Sequence, residues 1–112
     1  MLNALGSSQI DAREIFKKIQ AGNNDFTLLD VRTPGEYSRE KIAGSINLPV
    51  DLVAEQIETV IPNKNATVYV YCLSGSRSVE AVVVMRGMGY KKVFNMVSGL
   101  LAWRVYKLPL EK

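Results

Sequence analysis

The sequence holds one cysteine, Cys72, and no histidine, so nucleophilic chemistry in this chain has one obvious carrier. Cys72 opens the run Cys72-Leu73-Ser74-Gly75-Ser76-Arg77-Ser78, in which small or flexible residues offer successive backbone N–H groups and Gly75 permits a positive φ. Such a loop can wrap an anion, and a helix starting just beyond it adds partial positive charge at its N-terminus. The anion expected at its centre is the Cys72 thiolate. Moving a cysteine pKa from about 8.5 to about 6.5 takes about 2.7 kcal/mol, whereas a helix terminus usually supplies about 0.3–1 kcal/mol. Several N–H bonds to the sulfur and the charge of Arg77 are therefore expected to provide the remainder.

A blander reading stands beside this one. A single cysteine at a strand end is more often a small buried hydrophobe, and Arg77 by itself reads equally well as a solvated surface charge. The Gly, Ser and Arg that follow Cys72 shift the weight toward function, because an inert core cysteine has no need of them. Ser74, Ser76 and Ser78 are either hydroxyl donors to sulfur and substrate or turn formers, with Ser78 the expected cap of the following helix. Asp30 and Arg32, at another strand end, either brace the loop or pair locally.

The elements that must position these groups alternate along the chain. Ser8 with Asp11 resembles a helix N-cap, and Ala12, Ile15, Phe16 and Ile19 then follow the spacing of one buried face up to Gly22. Phe26 to Val31 reads as a buried strand broken by Thr33-Pro34-Gly35, and Glu36 to Glu40 as one helical turn. Ile42 to Pro49 reads as extended with a glycine bend, and Asp51 as the cap of a helix running to about Val60. Thr67 to Tyr71 is the clearest strand. Ser78 to Met88 resumes helical periodicity through Val79, Val82, Val83 and Met85. Val93 to Met96 is a further strand, and Ser98-Gly99 introduces a last helix through Leu101, Trp103 and Tyr106. Trp103 and the Val82-Val83 pair read as core. Strands alternating with helices predict an α/β fold, a small parallel sheet with helices on both faces, with ligands gathering beyond the strand C-termini where Asp30, Arg32 and Cys72 lie.

Size and composition set outer bounds. A chain of 112 residues has room for one domain, spanning 1–112, and its 47% hydrophobic and 22% charged content is that of a folded globular protein rather than a disordered one. The net charge of +3 is spread along the chain, with Lys91-Lys92 the densest pair. No basic stripe with interleaved aromatics suggests nucleic acid, and the charge favours small anionic substrates by mild steering. One cysteine makes no internal disulfide, and without histidine neither a metal nor a haem is expected. The apolar stretch Ala81 to Met85 falls far short of the about 20 residues that cross a bilayer. Met1 to Ile10 shows no secretory signal, so cytoplasm is the default location.

The loop from Cys72 to Ser78 resembles the active-site loop of the rhodanese family, a cysteine, four residues, then arginine and often serine. Leu29-Asp30-Val31-Arg32 with Glu36-Tyr37 is similar to the family's aspartate-valine-arginine motif. Ile42-Ala43-Gly44-Ser45-Ile46-Asn47-Leu48-Pro49 resembles its glycine, asparagine and proline segment, and Val97-Ser98-Gly99 with Trp103 and Leu108-Pro109 its closing elements. Each motif is weak alone, but four in order over about residues 8 to 111 are specific. The resemblance implies a three-layer rhodanese-like domain and a sulfurtransferase without cofactor. In that chemistry the Cys72 thiolate takes sulfur from a small anionic donor such as thiosulfate or a persulfide, and a thiol, a protein thiol or cyanide accepts it. Cys72 would be catalytic, with Leu73, Ser74, Gly75, Ser76, Arg77 and Ser78 as the persulfide-binding loop and Asp30 and Arg32 in support. Three positions depart from the family pattern: Lys41 replaces a common histidine, Ser98 a common glycine, and Leu73 a basic residue frequent in thiosulfate users. Two other readings remain, a non-catalytic protein-binding module and a phosphatase or arsenate reductase of related fold. The latter typically places five residues, not four, between cysteine and arginine.

Overall fold

The computed structural model describes residues 8–112; the reading of Met1 to Ile10 as free of a targeting signal falls largely outside them. Five strands and five helices alternate: β1 (Gln9–Ile10), α1 (Ala12–Gln20), β2 (Thr27–Asp30), α2 (Pro34–Arg39), β3 (Ile46–Asn47), α3 (Val53–Val60), β4 (Thr67–Tyr71), α4 (Ser76–Gly87), β5 (Lys92–Met96) and α5 (Gly99–Val105). The strands form one parallel sheet in the order β1-β5-β4-β2-β3. This is the expected α/β architecture, and among the described residues no helix is long and apolar enough to cross a membrane.

Alternation along the central strand sorts its side chains between two cores. Val68 and Val70, followed by Cys72, join Leu29, Val31 and Val93 against Val53 and Ile57 of α3 and Ala81, Val82 and Met85 of α4. Tyr69 and Tyr71 face the other way and join Leu28 and Met96 against Ala12 and Ile15 of α1 and Leu100 and Trp103 of α5. Burial on both faces explains why β4 reads as a continuous apolar run. Trp103 is packed edge-on by Phe16 and satisfies its indole N–H on the Pro109 carbonyl at 2.8 Å, so the largest side chain of that core leaves no polar atom stranded.

Several local expectations require correction. Ser8 does not cap α1: its carbonyl accepts from Asn95 N–H at 2.8 Å and the next two residues pair with β5. The helix can start only at Asp11, whose carboxylate accepts from Arg13 N–H. Asp51 does not cap α3 either, because Pro49 with φ −53° leads directly into a 3-10 turn at Val50–Leu52 and α3 follows without a side-chain cap. Val83 is half exposed while Val82 is buried. On α5, Leu100 and Trp103 point inward, and Leu101 and Tyr106 lie on the surface. The N–H groups of Leu100 and Leu101 bond the carbonyls of Cys72 and Leu73 at 2.9 and 3.0 Å, and these bonds set the helix's rotational phase.

That junction tolerates no side chain at Gly99. The residue has φ +50°, and a Cβ there would stand 2.3 Å from the Cys72 carbonyl oxygen and 2.6 Å from that of Leu73. Ser98 beside it also takes a left-handed conformation, φ 59°, which explains why glycine suits that position in the family pattern. Gly87, at the exposed end of α4, has open space around it and no positive φ. We expect Gly99→Ala to destabilise the protein by more than about 1 kcal/mol, and Gly87→Ala to stabilise it by about 0.4–1 kcal/mol. Urea denaturation of both variants checks the contrast.

Candidate active site

The pairing of β2 with β4 places Asp30 opposite Tyr71, so Asp30-Val31-Arg32 and Cys72 leave the sheet side by side at its C-terminal edge. The chain then turns through Leu73, Ser74 and Gly75, and Gly75 adopts φ +112° as it enters α4. This left-handed step, which glycine takes without steric cost, aims the Gly75 N–H at Cys72 Sγ, 3.1 Å away. Ser78 Oγ lies 3.5 Å from the same sulfur. Helix α4 starts at Ser76, two residues earlier than the periodicity suggests. Ser78 is consequently not its cap; it sits fully buried in the first turn and donates to the Gly75 carbonyl or to Asn95 Oδ1.

Cys72 has no exposed surface. Burial pushes its thiol pKa up, but the Ser78 hydroxyl and the backbone N–H groups of Ser78, Gly75 and Arg77 outweigh it, and the net direction is down. The donors replace the water that burial removes. Ser74 and Ser76 are exposed, so of the three loop serines only Ser78 reaches the sulfur.

The Arg77 N–H adds the smallest of the downward pulls on the thiol pKa, while its guanidinium turns to Glu36 of α2, Nη1 to Oε1 at 2.7 Å and Nη2 to Oε2 at 3.1 Å. Sequence reading expects that charge to act on Cys72 and does not foresee the partner. Glu36 is fixed in turn: Thr33 N–H donates to its carboxylate at 3.0 Å, and Glu36 N–H donates to Thr33 Oγ1 at 3.2 Å. The signal for this capping box, Thr33-Pro34-Gly35-Glu36, stands in the sequence; what it holds, 41 residues away, does not.

Asp30 and Arg32 form a buried pair, with Nη2 to Oδ2 at 2.7 Å and Nε to Oδ1 and Oδ2 at 3.1 and 3.0 Å. Arg32 also donates to the Glu40 carbonyl, and Asn47 Nδ2 to the main-chain carbonyls of both Asp30 and Arg32. These bonds fix the end of β2 and the approach to β3. They do not run to the loop, so any bracing passes through the β2–β4 pairing. Beside the loop, Leu73 borders a cleft of about 450 Å³ lined also by Arg32, Glu36, Arg39, Glu40 and Arg104. Lys41 pairs through its main chain with Glu111, a packing role rather than one at the sulfur.

The Arg77 guanidinium, followed by the Thr33 N–H, holds the Glu36 carboxyl at a pKa of about 2 against burial, which pushes it up. A depressed carboxylate contributes stability that is fully present above its unfolded pKa and is lost as pH falls through the folded one. The stability difference between wild type and Glu36→Gln should therefore be present at pH 7, at about 1 kcal/mol or less for a partly exposed pair. It should shrink between about pH 4.5 and pH 2, as urea titrations at a series of pH values would show.

A family model described as Rhodanese-like domain matches residues 11–105. A sulfurtransferase of Allochromatium vinosum is 31% identical over 103 residues, covering 92% of this chain and 94% of its own. A thiosulfate sulfurtransferase of Escherichia coli is 45% identical over 67 residues, covering 60% of this chain and 64% of its own. Among solved structures, a rhodanese-like domain from Anabaena superposes with a TM-score of 0.85 at 28% identity, over 93% of this chain and 78% of that one. The match begins at the residue that caps α1 and ends with the last residue of α5, taking in the whole Cys72 loop, and the chain belongs to the rhodanese-like domain family.

Proposed function

We propose that the protein is a sulfurtransferase that carries sulfane sulfur as a persulfide on Cys72. The observation that carries the reading is the meeting of the Gly75 N–H, at 3.1 Å, and the Ser78 hydroxyl, at 3.5 Å, at one buried sulfur whose thiol pKa is drawn down. They favour an anion at Sγ before any substrate binds, and a sulfur already ionised needs no general base.

With thiosulfate as donor, Cys72 S⁻ attacks the outer sulfur and forms a new S–S bond. The bond from that sulfur to the sulfonate breaks, and sulfite leaves with the electron pair. The product, Cys72–S–S⁻, keeps its negative charge within reach of the same main-chain donors. An acceptor thiolate or cyanide then attacks the outer sulfur and returns Cys72 as thiolate. Leu73 offers no charge to a dianionic donor, which favours persulfide donors over thiosulfate. Because Cys72 is covered, the donor reaches it only when the residues around the sulfur move apart. A phosphate ester fits this site less well: four residues separate Cys72 from Arg77, and the guanidinium is drawn out toward Glu36 rather than over the loop.

Intact-mass measurement after incubation with a small persulfide or thiosulfate should show the gain of one sulfur atom in wild type and none in Cys72→Ser. A wild type that gains nothing from either donor would overturn the proposal, and a protein active in cells without its cysteine would favour a docking role instead. Alkylation of Cys72 by iodoacetamide should have its pH midpoint below the ordinary thiol value of about 8.5. The rate should fall steeply with reagents too large to pass the loop. An unperturbed midpoint would remove the physical basis of the mechanism.

A further inference from the structure

Asn95 is a polar side chain where the sheet's alternation calls for an apolar one. Its neighbour at i−2, Val93, packs in the core beneath α4, yet Asn95 is only 3% exposed and its Oδ1 meets Ser78 Oγ at 2.5 Å. Ser78 Oγ in turn lies 3.5 Å from Cys72 Sγ and 3.1 Å from the Gly75 carbonyl oxygen. Three groups thus compete for one hydroxyl proton, since serine has one O–H to donate and two lone pairs with which to accept.

The competition has different outcomes for the two charge states of the sulfur. While Cys72 is a neutral thiol, Ser78 can accept the S–H and donate to the Asn95 amide oxygen. Once the sulfur is an anion, thiolate or persulfide, the Ser78 proton is needed at Sγ. The amide oxygen and Oγ would then face each other at hydrogen-bonding distance with no proton between them. A half-turn of the amide about its last bond replaces the oxygen with Nδ2, which donates to Oγ and restores the bond. Only a side chain that carries donor and acceptor on one rotor can serve both states; an aspartate could only accept, and a leucine could do neither. We infer that Asn95 is a positioning residue that sets the direction of the Ser78 proton, releasing it toward Cys72 Sγ when the sulfur is charged. The inference rests on the reading of Cys72 as an anionic sulfur carrier.

At this edge of the sheet Arg77 of α4 pairs with Glu36 of α2, and Asp30 with Arg32 at the end of β2. Helix α5 bonds the Cys72 and Leu73 carbonyls through main-chain N–H groups, and Lys92, the charged residue of β5, is exposed at the start of its strand. The Asn95 amide is thus the neutral element able to change orientation beside Ser78.

A double-mutant cycle tests this, with the pH midpoint of Cys72 alkylation by iodoacetamide as readout and thermal melting as a check on the fold. Without the amide the thiol form still has the Gly75 carbonyl to accept the Ser78 proton, whereas the anion loses the donor behind Oγ, so Asn95→Leu should raise the midpoint by roughly half to one pH unit. Asn95→Asp should raise it at least as far. In a Ser78→Ala background Asn95→Leu should leave the midpoint where Ser78→Ala alone puts it. An equal shift with and without the Ser78 hydroxyl, or no shift at all, would overturn the inference. If Asn95→Leu fails to fold, the side-chain amide resonances of Asn95 in ¹⁵N-labelled wild type decide: they should move with the Cys72 titration, and resonances that do not move would overturn it. A wild-type midpoint that is ordinary defeats the underlying functional reading. A lowered midpoint that Asn95→Leu leaves unchanged defeats this inference alone.

Discussion

A sulfur atom withdrawn from water holds negative charge only where fixed donors take the place of the lost solvent. At Cys72 those donors belong to the main chain and to one hydroxyl, and most of the local architecture follows from the need to aim them. Gly75 must take a left-handed conformation to turn its N–H inward. Helix α4 begins at once, at Ser76, and the N–H groups of Ser78 and Arg77 in its first turn add to the downward pull on the thiol pKa. The carbonyls on the outer side of the same turn, those of Cys72 and Leu73, are then left for the first free N–H groups of α5. That approach is close enough to demand glycine at position 99. Two segments distant in sequence, residues 72–78 and 99–101, thus meet around one sulfur.

Two ion pairs flank the site. Arg77 is held by Glu36, which a capping box holds in turn, and Asp30 is fully bonded by Arg32 at the end of β2. Of the two only Asp30–Arg32 is buried, and removing one of its partners would leave an uncompensated buried charge at a cost of several kcal/mol. Around Cys72 the arrangement has a further merit. It keeps the local field set by the main chain, whose dipoles need no counter-charge and do not reorient.

Much of this was legible in the residues. Thr67 to Tyr71 reads as a buried strand and is one to the residue, because β-branched and aromatic residues buried on both faces leave no competing periodicity. The loop announces itself because glycine, serines and arginine after a strand have few other uses. The caps were less legible. Ser8, Asp51 and Ser78 each have the right type and spacing, but the main chain at each was claimed by something stronger: pairing with β5, a proline-led turn, and a helix that had already begun. Face assignment on α5 failed for a related reason, since two hydrogen bonds to the loop fix its rotation and local hydropathy does not. Glu36 and Asn95 stand 41 and 17 residues from the side chains they meet. No pattern within either segment encodes such a meeting; it follows from parallel strands bringing their C-terminal ends to one edge.

The complete covering of Cys72 also limits what can oxidise it. Peroxide and stray thiols attack a thiolate or persulfide only by line-of-sight approach, and sulfur oxidised beyond the sulfenic level is not readily recovered. Covered in this way, the thiol meets only reagents small enough, or patient enough, to catch its surroundings open.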